Sequence, residues 1–216
     1  MTAHPIATIT GVPVSKKPGA VQVYLVGVDI QKDFCPGGKL AVPQGDSVVE
    51  PWNRLTAKLR PLGVQVIFSR DRHPAQTKHF SQDGREWPEH CLRGTAGAEF
   101  GADLDIRPEA VIVDKGVDQD DLGYSAGKLA IAKAGIPSPS LVIVGGLATG
   151  YRVKASVPEL LDWNHHVYVV EDAIRAVDLT PGDGTLAPAE IRSQGATVLT
   201  SDELIVELSN DLELSL

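Results

Sequence analysis

Asp71 and the three imidazoles of His73, His79 and His90 fall within twenty residues, in a polar stretch without a regular period. Nitrogen and oxygen donors in this mixture suit a divalent ion of the Zn, Mn or Fe type, and Asp-x-His lets one short loop supply two ligands. The cluster therefore predicts a metal site, with zinc as the first choice and manganese or iron as alternatives. Asp29 closes an apolar run, Val21 to Val28, where a carboxylate can serve as general acid or base or can cap the next turn. Lys115, in Asp114-Lys115-Gly116, also follows an apolar run, and by itself it reads equally as a solvated lysine. The corner Gly145-Gly146-Leu147-Ala148-Thr149-Gly150-Tyr151-Arg152 leads from the run Leu141 to Val144 into a helix, whose first turn offers backbone N–H groups to a ligand. His165 and His166 fall between a helix and a strand and are expected to be solvated.

Positioning these groups requires a frame, and the pattern supplies one. Val21 to Asp29, Val64 to Phe68, Ala110 to Val113, Leu141 to Val144, Val167 to Val170 and Ala196 to Leu199 are short β-branched apolar runs of the kind that fill buried parallel strands. Glu50 to Leu62, with Trp52, Leu55, Leu59 and Leu62 at helical spacing and Gly63 as a stop, lies between the first two. Ser125 to Ala134, Tyr151 to Trp163 and Leu186 to Gln194 continue the alternation, although Pro158 inside Tyr151 to Trp163 removes a hydrogen bond and should kink that helix. The expected fold is α/β, a three-layer doubly wound sheet of six mostly parallel strands. Its ligand crevice lies at the carboxyl ends of the strands, where Asp29 and the 145–152 corner would meet. Residues 1–20, punctuated by Pro5, Pro13 and Pro18, read as an extended arm, and 21–216 as one domain. Ser69 to Asp105 breaks the alternation, and loops of that length usually carry function.

Four stretches in order resemble the nicotinamidase/pyrazinamidase branch of the isochorismatase-like cysteine hydrolases. They are Asp29-Ile30-Gln31-Lys32-Asp33-Phe34 with Gly37-Gly38; Ser69 to Pro74 with Trp87-Pro88-Glu89-His90; Asp114-Lys115-Gly116 with Tyr124-Ser125; and the 145–155 corner. The resemblance runs from about Val23 to Leu204 and implies the isochorismatase-like hydrolase fold. It assigns Asp29 the acid/base role, Lys115 a place beside it, and Asp71, His73, His79 and His90 the metal. Phe34, Trp87, Tyr124 and Tyr151 become the walls of a pocket for a heteroaromatic ring, and Ala148 and Arg152 the backbone donors of an oxyanion hole. The catalytic set implied is thus Asp29, Lys115 and whatever stands at 152. There the family carries its cysteine nucleophile, with an aspartate two residues earlier, whereas this chain has Arg152 and Gly150. Gly127 stands where relatives have an aromatic ring and is expected to leave extra room.

Arginine presents donors only and cannot replace a thiolate. Cys35 and Cys91 lie in other motifs, are expected to be reduced thiols, and offer no evident substitute. The resemblance therefore implies a metal-containing hydrolase of a small heteroaromatic, nicotinamide-related substrate, expected from the charges of Arg152 and Lys115 to be anionic and larger than nicotinamide, that works without a cysteine nucleophile. The alternatives are an isochorismatase-like acid-catalysed hydrolase, or a catalytically silent paralogue that binds a small molecule. Arg152 and Lys115 beside a metal suggest surplus positive charge, so that either Arg152 pairs with Asp29 and shuts the site or an anionic ligand completes it. A net charge of −8 in 216 residues with no basic stripe argues against nucleic acid. The absence of a long apolar run argues against a membrane and predicts a cytoplasmic protein, with a homo-oligomer as one option.

Overall fold

A computed structural model describes residues 21–80, 87–177 and 183–211; the arm expected at 1–20 lies outside the described residues. Six strands form one sheet in which every pairing is parallel: β1 (Gln22–Val28), β2 (Gln65–Asp71), β3 (Val111–Lys115), β4 (Ser140–Leu147), β5 (His166–Arg175) and β6 (Thr197–Leu199). Their order is β3-β2-β1-β4-β5-β6, so the chain steps outward from β1 to one edge and then returns to β4 to build the other. Between β1 and β4 the strand order reverses, and this is where an open α/β sheet forms its crevice.

The sheet is buried on both faces, which is why its strands read as continuous apolar runs. Leu25, Phe68 and Ile143 face one layer, where Trp52, Leu55 and Leu59 of α1 (Val49–Leu59) pack with Leu204 and Leu208 of α5 (Ser201–Asp211). Val26, Val28, Ile67 and Val144 face the other, covered by Ala130 and Ile131 of α2 (Gly127–Ala134), Val157 and Leu160 of α3 (Lys154–Asp162) and Ile191 of α4 (Asp183–Ser193). Each large side chain fully buried this way contributes about 1.5–3 kcal/mol. The expected three-layer, doubly wound sheet of six strands is the one observed.

Several details differ from the sequence reading. The helix expected at Glu50 to Leu62 is α1 followed by a 3-10 turn, Arg60–Leu62, which ends at Gly63 in the left-handed conformation (φ 76°). Strand β5 runs on through Glu171 and Asp172 to Arg175, and α5 was not anticipated. Helix α3 begins at Lys154 rather than Tyr151, and the corner before it, Thr149–Val153, is a wider π-helical turn. His165 is buried rather than solvated: its Nδ1 accepts the Ser140 backbone N–H at 3.2 Å and so ties the start of β5 to the start of β4.

Candidate active site and metal centre

Four strand ends deliver the charged groups to one place. Asp29 follows β1, Asp71 ends β2, Lys115 ends β3, and Arg152 lies in the turn after β4; all four are buried. The Lys115 ammonium lies 2.6 Å from Asp29 Oδ2 and 2.6 Å from Asp71 Oδ1 and also donates to the Gly123 carbonyl. Ser69, on β2, donates from its hydroxyl to Asp29 Oδ1 at 2.7 Å. The Asp71 backbone is clamped by Gln31, whose Oε1 accepts the Asp71 N–H at 2.8 Å and whose Nε2 donates to the Asp71 carbonyl at 2.9 Å. Asp33 Oδ2 accepts the Cys91 N–H at 2.7 Å and thereby anchors the loop that carries His90. Sequence reasoning gave no role to Gln31, Asp33 or Ser69, although the first two stand in the motif beginning at Asp29.

Arg152 does not reach solvent. Its Nε lies 2.9 Å from Asp71 Oδ2 and 3.3 Å from Asp29 Oδ2, and an Nη donates to His90 Nε2 at 3.1 Å. The guanidinium carbon sits 4.7 Å from the centre of the Phe34 ring, within cation–π range. Two carboxylates thus face one guanidinium and one ammonium group, a formally balanced cluster. Arg152 therefore does not turn to solvent: it pairs chiefly with Asp71 and at longer range with Asp29, and these four side chains balance in formal charge before any ion held by the histidines is counted.

The imidazoles of His73, His79 and His90 converge, with one ring nitrogen from each lying within 4.8 Å of the other two. His73 Nδ1 is 3.1 Å from the Gly116 carbonyl and His90 Nδ1 is 2.8 Å from the Pro88 carbonyl. A carbonyl only accepts, so both Nδ1 atoms carry a proton, and a neutral ring so held turns its Nε2 lone pair away from the carbonyl, the arrangement that carbonyl partners impose on metal-binding histidines. Gly116 is needed for this packing: at its φ of 62° an added Cβ would lie 2.4 Å from the His73 ring. Both ring nitrogens of His79, and Nε2 of His73, are buried without a hydrogen-bond partner. Orphaned lone pairs in such a cluster fit a divalent ion, so three of the four expected ligands meet the requirement. Asp71 adjoins them, with Oδ2 3.6 Å from His73 Nε2, but its two oxygens are engaged by Lys115 and Arg152.

The expected ring-binding residues surround the histidines. Trp87 donates from Nε1 to the Tyr124 hydroxyl at 2.8 Å, stacks on His79 at 6.5 Å and meets Tyr151 edge-on at 4.9 Å. Phe34 packs against His90 at 5.4 Å from the opposite side. Ala148 follows a cis peptide bond with Leu147, and its carbonyl accepts the N–H groups of Tyr151 and Val153 at 3.2 and 3.4 Å. Gly127 does not open the pocket. A Cβ there would sit 2.8 Å from both Glu159 Cβ and the Ser156 carbonyl, so this residue is the close contact between α2 and α3, not the floor of a cavity.

Burial and partners set the proton affinities. Burial raises the Asp29 carboxyl above the ordinary aspartate range, against the pull of Lys115. Burial acts on Asp71 in the same sense but is overcome by Arg152 and Lys115, which hold it well below that range. His79 is lowered to about 3 by burial and then by His73, and His90 to about 3 by burial and then by Arg152. Burial, reinforced by Asp71, pushes the Cys91 thiol well above its usual value, which leaves it a poor nucleophile. Both cysteines are free thiols, as expected.

A charged pair and a histidine triad gathered at the switch point of a parallel sheet define an α/β protein of the hydrolase type. The chain belongs to the isochorismatase domain family, whose model matches residues 23–203. It is 35% identical to the nicotinamidase of Escherichia coli over 201 residues, covering 82% of this chain and 93% of that one. Among solved structures, the zinc complex of the pyrazinamidase of Pyrococcus horikoshii superposes with a TM-score of 0.75 at 34% identity, covering 83% of this chain and 99% of that one. The L. infantum PnC1 structure in complex with nicotinate gives 0.76 at 28% identity, covering 84% and 94%.

Proposed function

We propose that the protein is a nicotinamidase-like, metal-containing hydrolase of a small heteroaromatic amide that works without a cysteine nucleophile. The observation that carries this reading is Asp71, which joins the two halves of the site: one oxygen is on Lys115 and thus beside Asp29, the other beside the histidine triad. Likeness to nicotinamidases and to a zinc-bound pyrazinamidase supports the substrate class and the metal, with zinc the first candidate. His73, His79 and His90 would hold the ion, which supplies Lewis acidity toward a ring nitrogen or water when bound. Phe34, Trp87, Tyr124 and Tyr151 enclose the ring. Asp29, its proton affinity raised by burial and its orientation fixed by Ser69, takes the proton of the attacking water, and Lys115 steadies the carboxylate. Backbone N–H groups at Ala148 and Arg152 face the oxyanion.

The balanced ion cluster bears on the ligand's charge. The four side chains cancel in formal charge, so attraction for an anionic ligand would have to come from the ion held by the histidines, and a neutral amide and its anionic analogues are both candidates. One observation favours a second reading, a silent binding protein: the Arg152 side chain is 2% exposed and fills the space between Phe34, His90 and the two aspartates. Ammonia release from nicotinamide and pyrazinamide, with binding measured in parallel by calorimetry, separates the two. The hydrolase reading expects release that survives thiol alkylation and is lost in Asp29→Asn. Binding without release establishes the silent protein, and release abolished by alkylation overturns the non-thiol route.

A further inference from the structure

We propose that Arg152 competes with the metal for His90, so that metal occupancy and the closed position of Arg152 exclude each other. This rests on the reading of His73, His79 and His90 as the metal site. His90 has one lone pair to give, on Nε2, because its Nδ1 proton is committed to the Pro88 carbonyl at 2.8 Å. An Nη–H of Arg152 already points at that lone pair from 3.1 Å. A metal ion needs the same electrons, and one imidazole nitrogen cannot accept a hydrogen bond and coordinate an ion at once. The same guanidinium holds Asp71 Oδ2 at 2.9 Å, the oxygen nearest His73 Nε2. Arg152 therefore occupies two of the four donors expected of the site, and it adds a permanent positive charge where a dication must enter.

The contact also governs the pocket. The guanidinium lies over the Phe34 ring at 4.7 Å, on the wall expected to receive the substrate ring. Coordination of His90 breaks the Nη contact and leaves Nε as the tether to Asp71, freeing the far end of the side chain to leave the Phe34 face. In the metal-free protein the site is closed by an internal cation; in the metal-loaded protein it is open to the ring of a ligand. A residue at the nucleophile position has thus become the gate of the metal centre.

Dissociation constants for Zn2+ and Co2+, measured by competition with a chromophoric chelator, test this in wild type, Arg152→Ala, Arg152→Lys and Lys154→Ala. Arg152→Ala removes the competing donor and the charge, and it should bind both ions about tenfold or more tightly than wild type, the equivalent of one charge-assisted hydrogen bond. Arg152→Lys keeps a cation for Asp71 and Asp29 but lacks the fork that reaches His90, so it should also bind more tightly, by a smaller factor, and it serves if the alanine variant fails to fold. Lys154→Ala, an equal change of net charge at a partly exposed site, should match wild type. Affinities of the folded Arg152 variants within twofold of wild type, with His79→Ala abolishing binding in each, overturn the competition and leave the metal site intact. Absence of binding in every protein overturns both.

Discussion

Replacing Arg152 by Met removes the charge that faces Asp71 at 2.9 Å in a site closed to water. Breaking one side of a buried ion cluster costs about 3–5 kcal/mol, and Lys115, still bridging both carboxylates, should hold the loss near the lower figure. Urea denaturation at neutral pH is the measure, and a change below about 1 kcal/mol, the scale of an exposed pair, would mean that the cluster is not formed. The histidines give a pH signature of definite sign. His79 and His90 hold protons only below about 3 in the folded chain against 6.5 unfolded, so between those limits the unfolded state binds more protons and stability falls as the pH falls. Asp71, depressed below 3.8, adds its loss only at still lower pH. Metal-stripped protein should therefore show a urea midpoint that drops from pH 7 to pH 5, and His79→Phe should flatten that slope; a flat wild-type profile contradicts the buried neutral imidazoles. These side chains were legible as a cluster because residue types and spacing are written in the chain. Their pairing was only partly legible, because whether Arg152 turns to Asp71, Asp29 or solvent depends on the ends of four strands meeting.

At the scale of the elements, Gly127 is the sharpest test. Its would-be Cβ meets the Ser156 carbonyl and Glu159 Cβ at 2.8 Å, and backbone cannot yield as a flexible side chain can. Ser156 is also the hinge of the contact, donating from Oγ to the Arg152 carbonyl at 2.8 Å and accepting the Ala126 N–H at 3.0 Å. Gly127→Ala should push α2 from α3 and cost about 1–3 kcal/mol in urea denaturation; no loss would show that the helices are not in contact there. A pocket-widening role for this glycine had been expected from the family pattern, but a missing side chain says nothing about which neighbour would have touched it. The strands were readable because burial on both faces writes them as unbroken apolar runs. The second half of β5 was not, since Glu171 and Asp172 interrupt the run at the sheet's end. Helix α5 was missed because, among its described side chains, Leu204 and Leu208 are the only apolar ones fully buried, behind an acidic first turn, too thin a stripe to show as a period.

For the whole molecule, the question is whether the family's machinery persists around Arg152, the residue that the motif resemblance sets at the nucleophile position. No described helix is long and apolar enough to cross a membrane, and the switch point between β1 and β4 still holds the acid, the lysine and the three imidazoles. Motif order alone disclosed that layout, while the closure of the site by its own arginine emerged only from the assembled sheet. Placing at both positions the residues that the resemblance expects, Arg152→Cys with Gly150→Asp, asks the rest of the chain to act as an amidase. Gly150 has nothing within 4 Å of its would-be Cβ, so a side chain can start there without striking a neighbour. Loss of the guanidinium returns His90 Nε2 to a metal and leaves Asp29 and Lys115 paired, ready to take the proton of a thiol at 152. The double variant, folded and loaded with zinc, should release ammonia from nicotinamide, and iodoacetamide should abolish that release, whereas any release by wild type should be insensitive to the reagent. If the variant folds, binds zinc and nicotinamide and still releases nothing, the loss lies beyond these two positions, and the silent binding protein becomes the reading that the pocket as a whole supports.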